Sequence, residues 1–159
     1  MKEMKLETSV RVYTKTEWTE QQTLLMSAAM AAAQKAYAPY SRFQGGAAVL
    51  LGNGEIVTGS NQENAAYPSG LCAERVALFY AGATYPDIPV KAMAVTALSA
   101  GKQVALAAPC GGCRQVILES EMRAGDKIQI LLGGAEEIYV MEGASSLLPV
   151  SFDASVLPE

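Results

Sequence analysis

The pattern of apolar and polar positions predicts alternating helices and strands along the chain. Residues 19–37 are rich in strong helix formers and should form the first helix, which Pro39 should end. Residues 45–59, GGAAVLLGNGEIVTG, predict two strands joined by a hairpin, because the Asn53-Gly54 pair is a strong turn signal. One side of the first helix should be apolar, and we expect on it Leu24, Leu25, Ala28, Ala32 and Ala36.

The second half of the chain continues this alternation. A polar loop at residues 60–70 should lead into a helix from about Cys72 to Ala81, and the GGCRQVILESEM segment should form a third helix. Strands alternating with helices indicate an α/β fold, which we predict to be a three-layer α/β/α sandwich with a mixed five-stranded sheet. Besides the hairpin, its strands should be the apolar runs at residues 90–98, 127–133 and 136–141.

The N-terminal segment fits this scheme poorly. Its KLETSVRVY stretch alternates like an edge strand, and it could equally be a mobile arm. A chain of 159 residues can bury a sizeable core as one domain. We therefore assign residues 1–17 to an N-terminal extension or arm and residues 18–159 to a single domain.

Composition narrows the possible partners. The net charge is -4 and no basic stripe is present, which argues against nucleic acid and favours a small-molecule partner. No apolar run reaches about 18 residues, so we expect no membrane association. The N-terminus lacks the apolar region of a signal peptide, and three cysteines are an odd number for a disulfide framework. We expect a cytoplasmic protein with reduced thiols.

The chain contains no histidine, which limits its chemistry. A general base should be a carboxylate, and a zinc site should rest on thiolates or carboxylates. Cys110 and Cys113 stand three residues apart at a predicted helix start, so their side chains share one face. This spacing alone fits half of a metal site, a redox dithiol or two incidental buried cysteines.

The third cysteine favours the metal site. Cys72 precedes another predicted helix, and two helix starts can converge at one end of a sheet. Three thiolate ligands would leave one coordination position of zinc open, as in catalytic sites. Glu74 could close the site as a fourth ligand, or it could accept a proton from a water, since residues two apart on a helix point to different sides.

The CAER and PCGGCRQ segments together resemble the zinc-dependent cytidine deaminase family, in its small homotetrameric form. The resemblance spans roughly residues 22–152. It implies one Zn²⁺ per subunit on Cys72, Cys110 and Cys113, with Glu74 as proton shuttle for a zinc-activated water. The implied reaction is hydrolytic deamination of cytidine and deoxycytidine to uridine, deoxyuridine and ammonia, as used in pyrimidine salvage.

Further segments carry the resemblance to the substrate pocket. AYAPYSRF and NQENAAYPSG imply that Phe43 and Tyr67 line a nucleoside pocket and that Asn61 and Glu63 hold the ribose hydroxyls. The family also implies that the backbone of Ala73 contacts the carbonyl side of the pyrimidine. Taken singly, such residues are more often ordinary loop or core positions.

Two more residues complete the implied site. Arg75 should hydrogen-bond the cysteine sulfurs and offset the net negative charge of zinc with three thiolates. Phe152, in the C-terminal segment, should reach a neighbouring subunit's active site, so the implied homotetramer would share its active sites.

Departures from the family pattern and alternative functions remain. Gly45 stands where the family commonly has Val, the segment between Cys72 and Cys110 is longer than usual, and the N-terminal extension has no match. A deaminase of blasticidin type should lack the Asn61 and Glu63 pair. A non-catalytic zinc protein would use Glu74 as a ligand or leave it idle. The sequence does not rank cytidine against deoxycytidine, although a ribose-binding pair argues against free cytosine.

Overall fold

The computed structural model describes residues 1–157, and over that range the chain forms three α-helices and seven β-strands. The helices are α1 (Glu20–Ala33), α2 (Ala73–Thr84) and α3 (Gly111–Ala124). The strands are β1 (Arg11–Thr14), β2 (Phe43–Leu51), β3 (Ile56–Ser60), β4 (Val90–Ser99), β5 (Lys102–Gln103), β6 (Gln129–Gly133) and β7 (Glu137–Glu142). Single 3₁₀ turns lie at Lys15–Glu17, Tyr67–Ser69, Ala144–Ser146 and Ala154–Val156.

All strands belong to one mixed sheet. Its order is β1-β7-β6-β4-β2-β3, and β5 pairs with β4 beside this path. β4 and β6 are parallel and are connected through α3, whereas the other neighbours are antiparallel. This confirms the predicted α/β class and mixed sheet, and the five predicted strands are present.

The predicted number of strands was too low, because β1 and β5 were not counted. β1 is a four-residue edge strand on β7, formed by the end of an N-terminal segment that is otherwise exposed. β5 has two residues and follows a tight turn at Ala100 and Gly101, both with positive φ. The alternation in residues 5–13 had left an edge strand open as one possibility, and β1 occupies that position, whereas two-residue β5 is too short for a side-chain pattern to predict.

Helices cover both faces of the sheet and give the predicted three layers. α2 and α3 pack on one face, where Ala77, Leu78 and Ile117 meet side chains such as Val49, Val95 and Leu132. α1 covers the opposite face through Leu25, Met26 and Ala29, which contact Ala48, Ala94 and Leu131. Because successive strand residues point to opposite faces, each central strand contributes to both apolar clusters.

The buried side of α1 differs from the predicted one. Leu24 is exposed, and Ala28 and Ala36 are half-buried, whereas the side facing the sheet is formed by Gln22, Leu25, Met26, Ala29, Ala32 and Ala33. The run of alanines made several faces equally apolar, so the sequence could not orient the helix. α1 also ends at Ala33, earlier than the predicted Tyr37.

The helix ends have local causes. Thr19 caps α1, and its side chain accepts a hydrogen bond from the Gln22 N–H at 3.2 Å. α3 ends at Gly125, whose φ of 64° is accessible to glycine without strain. α2 continues to Thr84, past the predicted end at Ala81. Within residues 1–157 no helix combines the length and apolar character needed to cross a membrane.

Two glycines bring the helices close to the sheet. A Cβ atom added at Gly46 in β2 would lie 2.1 Å from the Ala29 carbonyl oxygen of α1. One added at Gly59 in β3 would lie 2.5 Å from the Ala73 carbonyl oxygen and from the Ala77 nitrogen of α2. These are backbone atoms that cannot rotate away, so the packing of α1 and α2 requires glycine at both positions.

We predict that Gly46→Ala lowers the free energy of unfolding by about 1–3 kcal/mol, because the new methyl group displaces α1 from the sheet. Urea denaturation followed by circular dichroism measures this change. Gly45→Ala, in the adjacent residue, is the matched control: its Cβ would meet nothing closer than 3.7 Å. Equal stabilities of the two variants would contradict the role given to Gly46.

Candidate active site

The three cysteines meet where α2 and α3 begin. Cys72 is the residue immediately before α2, Cys110 immediately precedes α3, and Cys113 lies in the first turn of α3. The Cys72 Sγ is 3.8 Å from the Cys110 Sγ, which is 3.5 Å from the Cys113 Sγ. All three sulfur atoms lie within 4.8 Å of one another, so one ion could contact all of them.

The sulfur cluster fits the donor set and spacing of a zinc site. Thiolates bound to one tetrahedral Zn²⁺ at about 2.3 Å stand roughly 3.8 Å apart, close to the observed separations. The cysteines are free, and their separations far exceed a disulfide bond of about 2 Å. A redox pair formed by Cys110 and Cys113 would leave Cys72 at this position unexplained.

The surroundings of the cluster favour a thiolate at Cys72. The pKa of the Cys72 thiol is lowered to about 5, first because the Cys113 thiol hydrogen-bonds to its sulfur and then because Arg75 does. The pKa of Cys113 is raised for the same reason, since its proton serves that hydrogen bond. Neither Cys72 nor Cys110 caps its helix with its side chain, and the positive ends of both helix dipoles lie beside the cluster.

Glu74 is buried in the first turn of α2, beside the sulfurs. Its residue surface is 6% exposed, and burial is the main reason why the pKa of its carboxyl is raised, with the nearby Cys72 adding to the effect. The set of ligand atoms within 4.8 Å of one another in residues 1–157 contains the three sulfurs and does not contain a Glu74 oxygen. The carboxyl therefore lies next to the cluster as a separate group.

Arg75 supplies positive charge to the cluster. Its Nη2 donates to the Cys72 Sγ at 3.9 Å, and this contact raises the pKa of the guanidinium. The Arg75 Nε is buried and has no hydrogen-bond partner among the described residues. A guanidinium held against thiolates lowers the cost of concentrating negative charge there.

A cavity of about 490 Å³ opens beside Cys72 and Arg75. Three residues assigned to substrate binding from the sequence, Asn61, Glu63 and Tyr67, are among those that line it. Tyr67 is 76% exposed and makes an edge-to-face contact with Tyr40, with ring centroids 6.2 Å apart. A second cavity, of about 340 Å³, lies between the C-terminal ends of α2 and α3, and no predicted site residue lines it.

Asn61 and Glu63 are held by backbone groups near the start of β2. The Asn61 Oδ1 accepts from the Gly45 N–H at 2.8 Å, and its Nδ2 donates to the Phe43 carbonyl at 2.9 Å. Glu63 accepts hydrogen bonds from the Ser41 hydroxyl and from the Tyr40 N–H, the latter at 2.8 Å, and these bonds lower the pKa of its carboxyl. Each side chain keeps hydrogen-bonding capacity toward the cavity, because an amide and a carboxylate have more donor and acceptor sites than these bonds use.

Of the remaining predicted residues, Ala73 lies beside the sulfur cluster, whereas Phe43 and Phe152 are not part of the cavity wall. Ala73 is buried as the first residue of α2, between Cys72 and Glu74. Phe43 is exposed at the start of β2 and does not line the cavity within this chain. Phe152 is 61% exposed in the C-terminal segment, and it too is absent from the cavity wall.

Several residues that support the site were not predicted from the sequence. Tyr40 and Ser41 belong to the AYAPYSRF segment, in which only Phe43 was assigned a role, yet both donate hydrogen bonds to Glu63. Arg114 donates to the Pro109 carbonyl at 2.9 Å and to the Leu147 carbonyl at 2.8 Å, fixing the loop before Cys110. Such hydrogen-bond partners are set by the tertiary fold. For Arg114, the available sequence signal was its position within PCGGCRQ.

Comparison with known proteins identifies the family. Residues 19–125 match the family model described as "Cytidine and deoxycytidylate deaminase zinc-binding region". A cytidine deaminase of Halalkalibacterium halodurans is 41% identical over 133 residues, which cover 82% of this chain and 93% of that protein. A cytidine deaminase of Mycobacterium tuberculosis is 41% identical over 96 residues, covering 60% of this chain and 68% of that protein.

Solved structures agree with the sequence relatives. The cytidine deaminase of Burkholderia pseudomallei superposes with a TM-score of 0.67 at 38% identity, covering 85% of this chain and 100% of that one. The Mycobacterium tuberculosis enzyme gives a TM-score of 0.65 at 36% identity, covering 82% of this chain and 96% of that one. The chain therefore belongs to the zinc-binding cytidine and deoxycytidylate deaminase family, and its three converging sulfurs agree with this membership.

Proposed function

We propose that this protein is a cytidine deaminase, which hydrolyses cytidine and deoxycytidine to uridine, deoxyuridine and ammonia. The observation that carries the proposal is the convergence of three sulfurs beside a buried glutamate at a cavity wide enough for a nucleoside. Membership of the deaminase family and the names of its relatives support the same reaction.

Cys72, Cys110 and Cys113 would hold one Zn²⁺ per subunit. Bound zinc supplies Lewis acidity toward the attacking water. Three thiolates outweigh the charge of the ion, so the site as a whole carries net negative charge. Arg75 and the first N–H groups of α2 and α3 are placed to offset this charge, which makes Arg75 a residue that tunes the site through the sulfurs.

Glu74 is proposed to move the protons of the reaction. A water molecule adds to C4 of cytosine, and Glu74 accepts its proton and delivers it to ring N3. A second transfer through Glu74 places a proton on the exocyclic amine, which leaves as ammonia while the carbonyl of uridine forms. Because the chain lacks histidine, a carboxylate must serve as this general base and acid, and Glu74 is the buried one beside the sulfurs.

Substrate recognition is assigned to residues around the cavity. Asn61 and Glu63 would bind the ribose hydroxyls with the hydrogen-bonding sites that their backbone contacts leave free. Tyr67 and Phe43 would supply aromatic surface, and the backbone of Ala73 would contact the carbonyl side of the base. Recognition of the sugar argues for nucleosides over free cytosine.

The alternatives drawn from the sequence have less support. A non-catalytic zinc protein with Glu74 as fourth ligand is disfavoured, because its carboxylate lies outside the cluster of ligand atoms. A blasticidin-type deaminase is disfavoured because Asn61 and Glu63 face the same cavity and the relatives are cytidine deaminases. Incubation with cytidine, deoxycytidine and cytosine, followed by ultraviolet absorbance, separates these possibilities.

The proposal extends to organisation and assembly. Residues 18–159 would form the deaminase domain, although the last two residues lie outside the described part, and residues 1–17 would be an extension that contributes β1. The free cysteines fit a cytoplasmic location. A homotetramer with shared active sites would give the exposed Phe152 a place over a neighbouring subunit's cavity, and light scattering would measure this state.

We expect Glu74→Gln to lower kcat by about 10²–10⁴-fold, because the amide cannot carry protons, while one zinc ion per chain remains bound. Steady-state assays with cytidine and metal analysis of the same sample measure both quantities. Glu119→Gln, at an exposed position of α3, is the control and should retain wild-type turnover. Substantial turnover by Glu74→Gln would refute the proton-transfer role.

Phe152 can be tested by mixing two defective chains. When Glu74→Gln and Phe152→Ala chains are co-expressed, a mixed tetramer contains sites with an intact Glu74 and a Phe152 from its neighbour. We expect about a quarter of wild-type activity if the two chains assort at random. Activity equal only to the average of the two separate variants would show that Phe152 does not act across subunits.

A further inference from the structure

The C-terminal segment, residues 149–157, lies outside the core. Leu147 is buried and Leu148 packs partly against the core, whereas Val150 and Phe152 are exposed. Val150 also has a φ of 55°, in the left-handed region that a β-branched residue rarely adopts. Apolar packing within this chain therefore does not fix the path of the segment.

One side chain of α3 holds the segment instead. Gln115 donates from its Nε2 to the Phe152 carbonyl at 2.9 Å. Within residues 1–157, this is the one hydrogen bond that joins the C-terminal segment to another part of the chain. The others are local, such as the bond from the Ser155 N–H to the Asp153 carboxylate. The position of Phe152 relative to the sheet and helices therefore depends on Gln115.

The hydrogen bonds that precede the segment do not involve Gln115. Arg114 donates to the Leu147 carbonyl at 2.8 Å, and Glu121 accepts from the Ala144 N–H at 2.9 Å. α3 thus fixes the chain up to residue 147 by other side chains. Loss of the Gln115 amide would release the C-terminal segment and leave these upstream bonds in place.

Gln115 ties the segment to a rigid part of the molecule. It lies in α3 two residues after Cys113, about 3 Å farther along the helix axis. The side of α3 that faces the sheet is anchored by the buried Ile117 and Leu118. The bond to Phe152 therefore connects an exposed aromatic residue to the helix that opens at the sulfur cluster.

We propose that Gln115 is a positioning residue, which holds the C-terminal segment of one subunit so that Phe152 closes over the cavity of a neighbouring subunit. The proposal rests on the deaminase function and the assembly proposed above. An aromatic ring held over the cavity adds apolar contact to the bound nucleoside and excludes water. Gln115 then lowers KM at a site to which its own chain contributes no sulfur.

Gln115→Glu removes the contact with little change in shape, because a carboxylate cannot donate to a carbonyl. With cytidine we expect KM about 3–10-fold above wild type and kcat within about twofold, since one hydrogen bond that supports binding is lost. In the Phe152→Ala background the same change should raise KM less than about twofold, because the ring is already absent. Gln21→Glu, at an exposed position of α1, introduces the same charge and should match wild type.

Mixed assemblies show whether Gln115 acts across subunits. When Gln115→Glu and Glu74→Gln chains are co-expressed, every site with an intact Glu74 lies on a Gln115→Glu chain. Its neighbour's Phe152, however, can come from a chain with an intact Gln115. With random assortment we expect about half of these sites to regain the wild-type KM. A single KM equal to that of Gln115→Glu alone would place the effect within one subunit and would overturn the proposal.

Metal analysis and melting curves accompany these assays. Gln115→Glu should bind one zinc per chain and melt like wild type, and if it does not fold, Gln115→Ala replaces it. A wild-type KM, loss of zinc, a fall in kcat alone, or equal effects with and without the Phe152 ring would overturn the positioning role. Failure of wild type to turn over cytidine would instead overturn the proposed function.

Discussion

The site depends on two helices that begin at the same place above one face of the sheet. α3 connects the parallel strands β4 and β6, and α2 packs beside it over β2 and β3. The cysteines precede or open these helices, so the packing of the helices fixes the separations of the sulfurs. Gly59 makes this possible, because any side chain there would push the first turn of α2 away from the sheet.

The same arrangement sets the charge around the sulfurs. The positive ends of two helix dipoles lie beside them, and Arg75 adds a formal positive charge. Glu74 lies in the first turn of α2 and is buried, so its carboxyl is shielded from water beside the sulfurs. Under the proposed function, this one helix start would provide a metal ligand, a charge-compensating group and a proton carrier within four consecutive residues.

Much of this could be predicted from the sequence, and the failures have physical causes. The Asn53-Gly54 turn, the apolar strands and the cysteine spacings are local signals, and they led to the α/β fold and the zinc-binding family. The buried side of α1 could not be predicted, because its alanines carry no clear amphipathic pattern. Ser41 and Arg114 were missed because their partners are distant in sequence. The requirement for glycine at residue 46 appears only once α1 is in place.

The central claim is an open zinc site in which Glu74 is not a ligand, and X-ray absorption at the zinc edge tests it most directly. For the zinc-loaded wild type we expect three sulfur neighbours at about 2.3 Å and one light atom. Glu74→Ala should keep the same zinc content and the same coordination shell. Loss of the light neighbour in that variant would identify Glu74 as the fourth ligand, and the site would then be closed and structural.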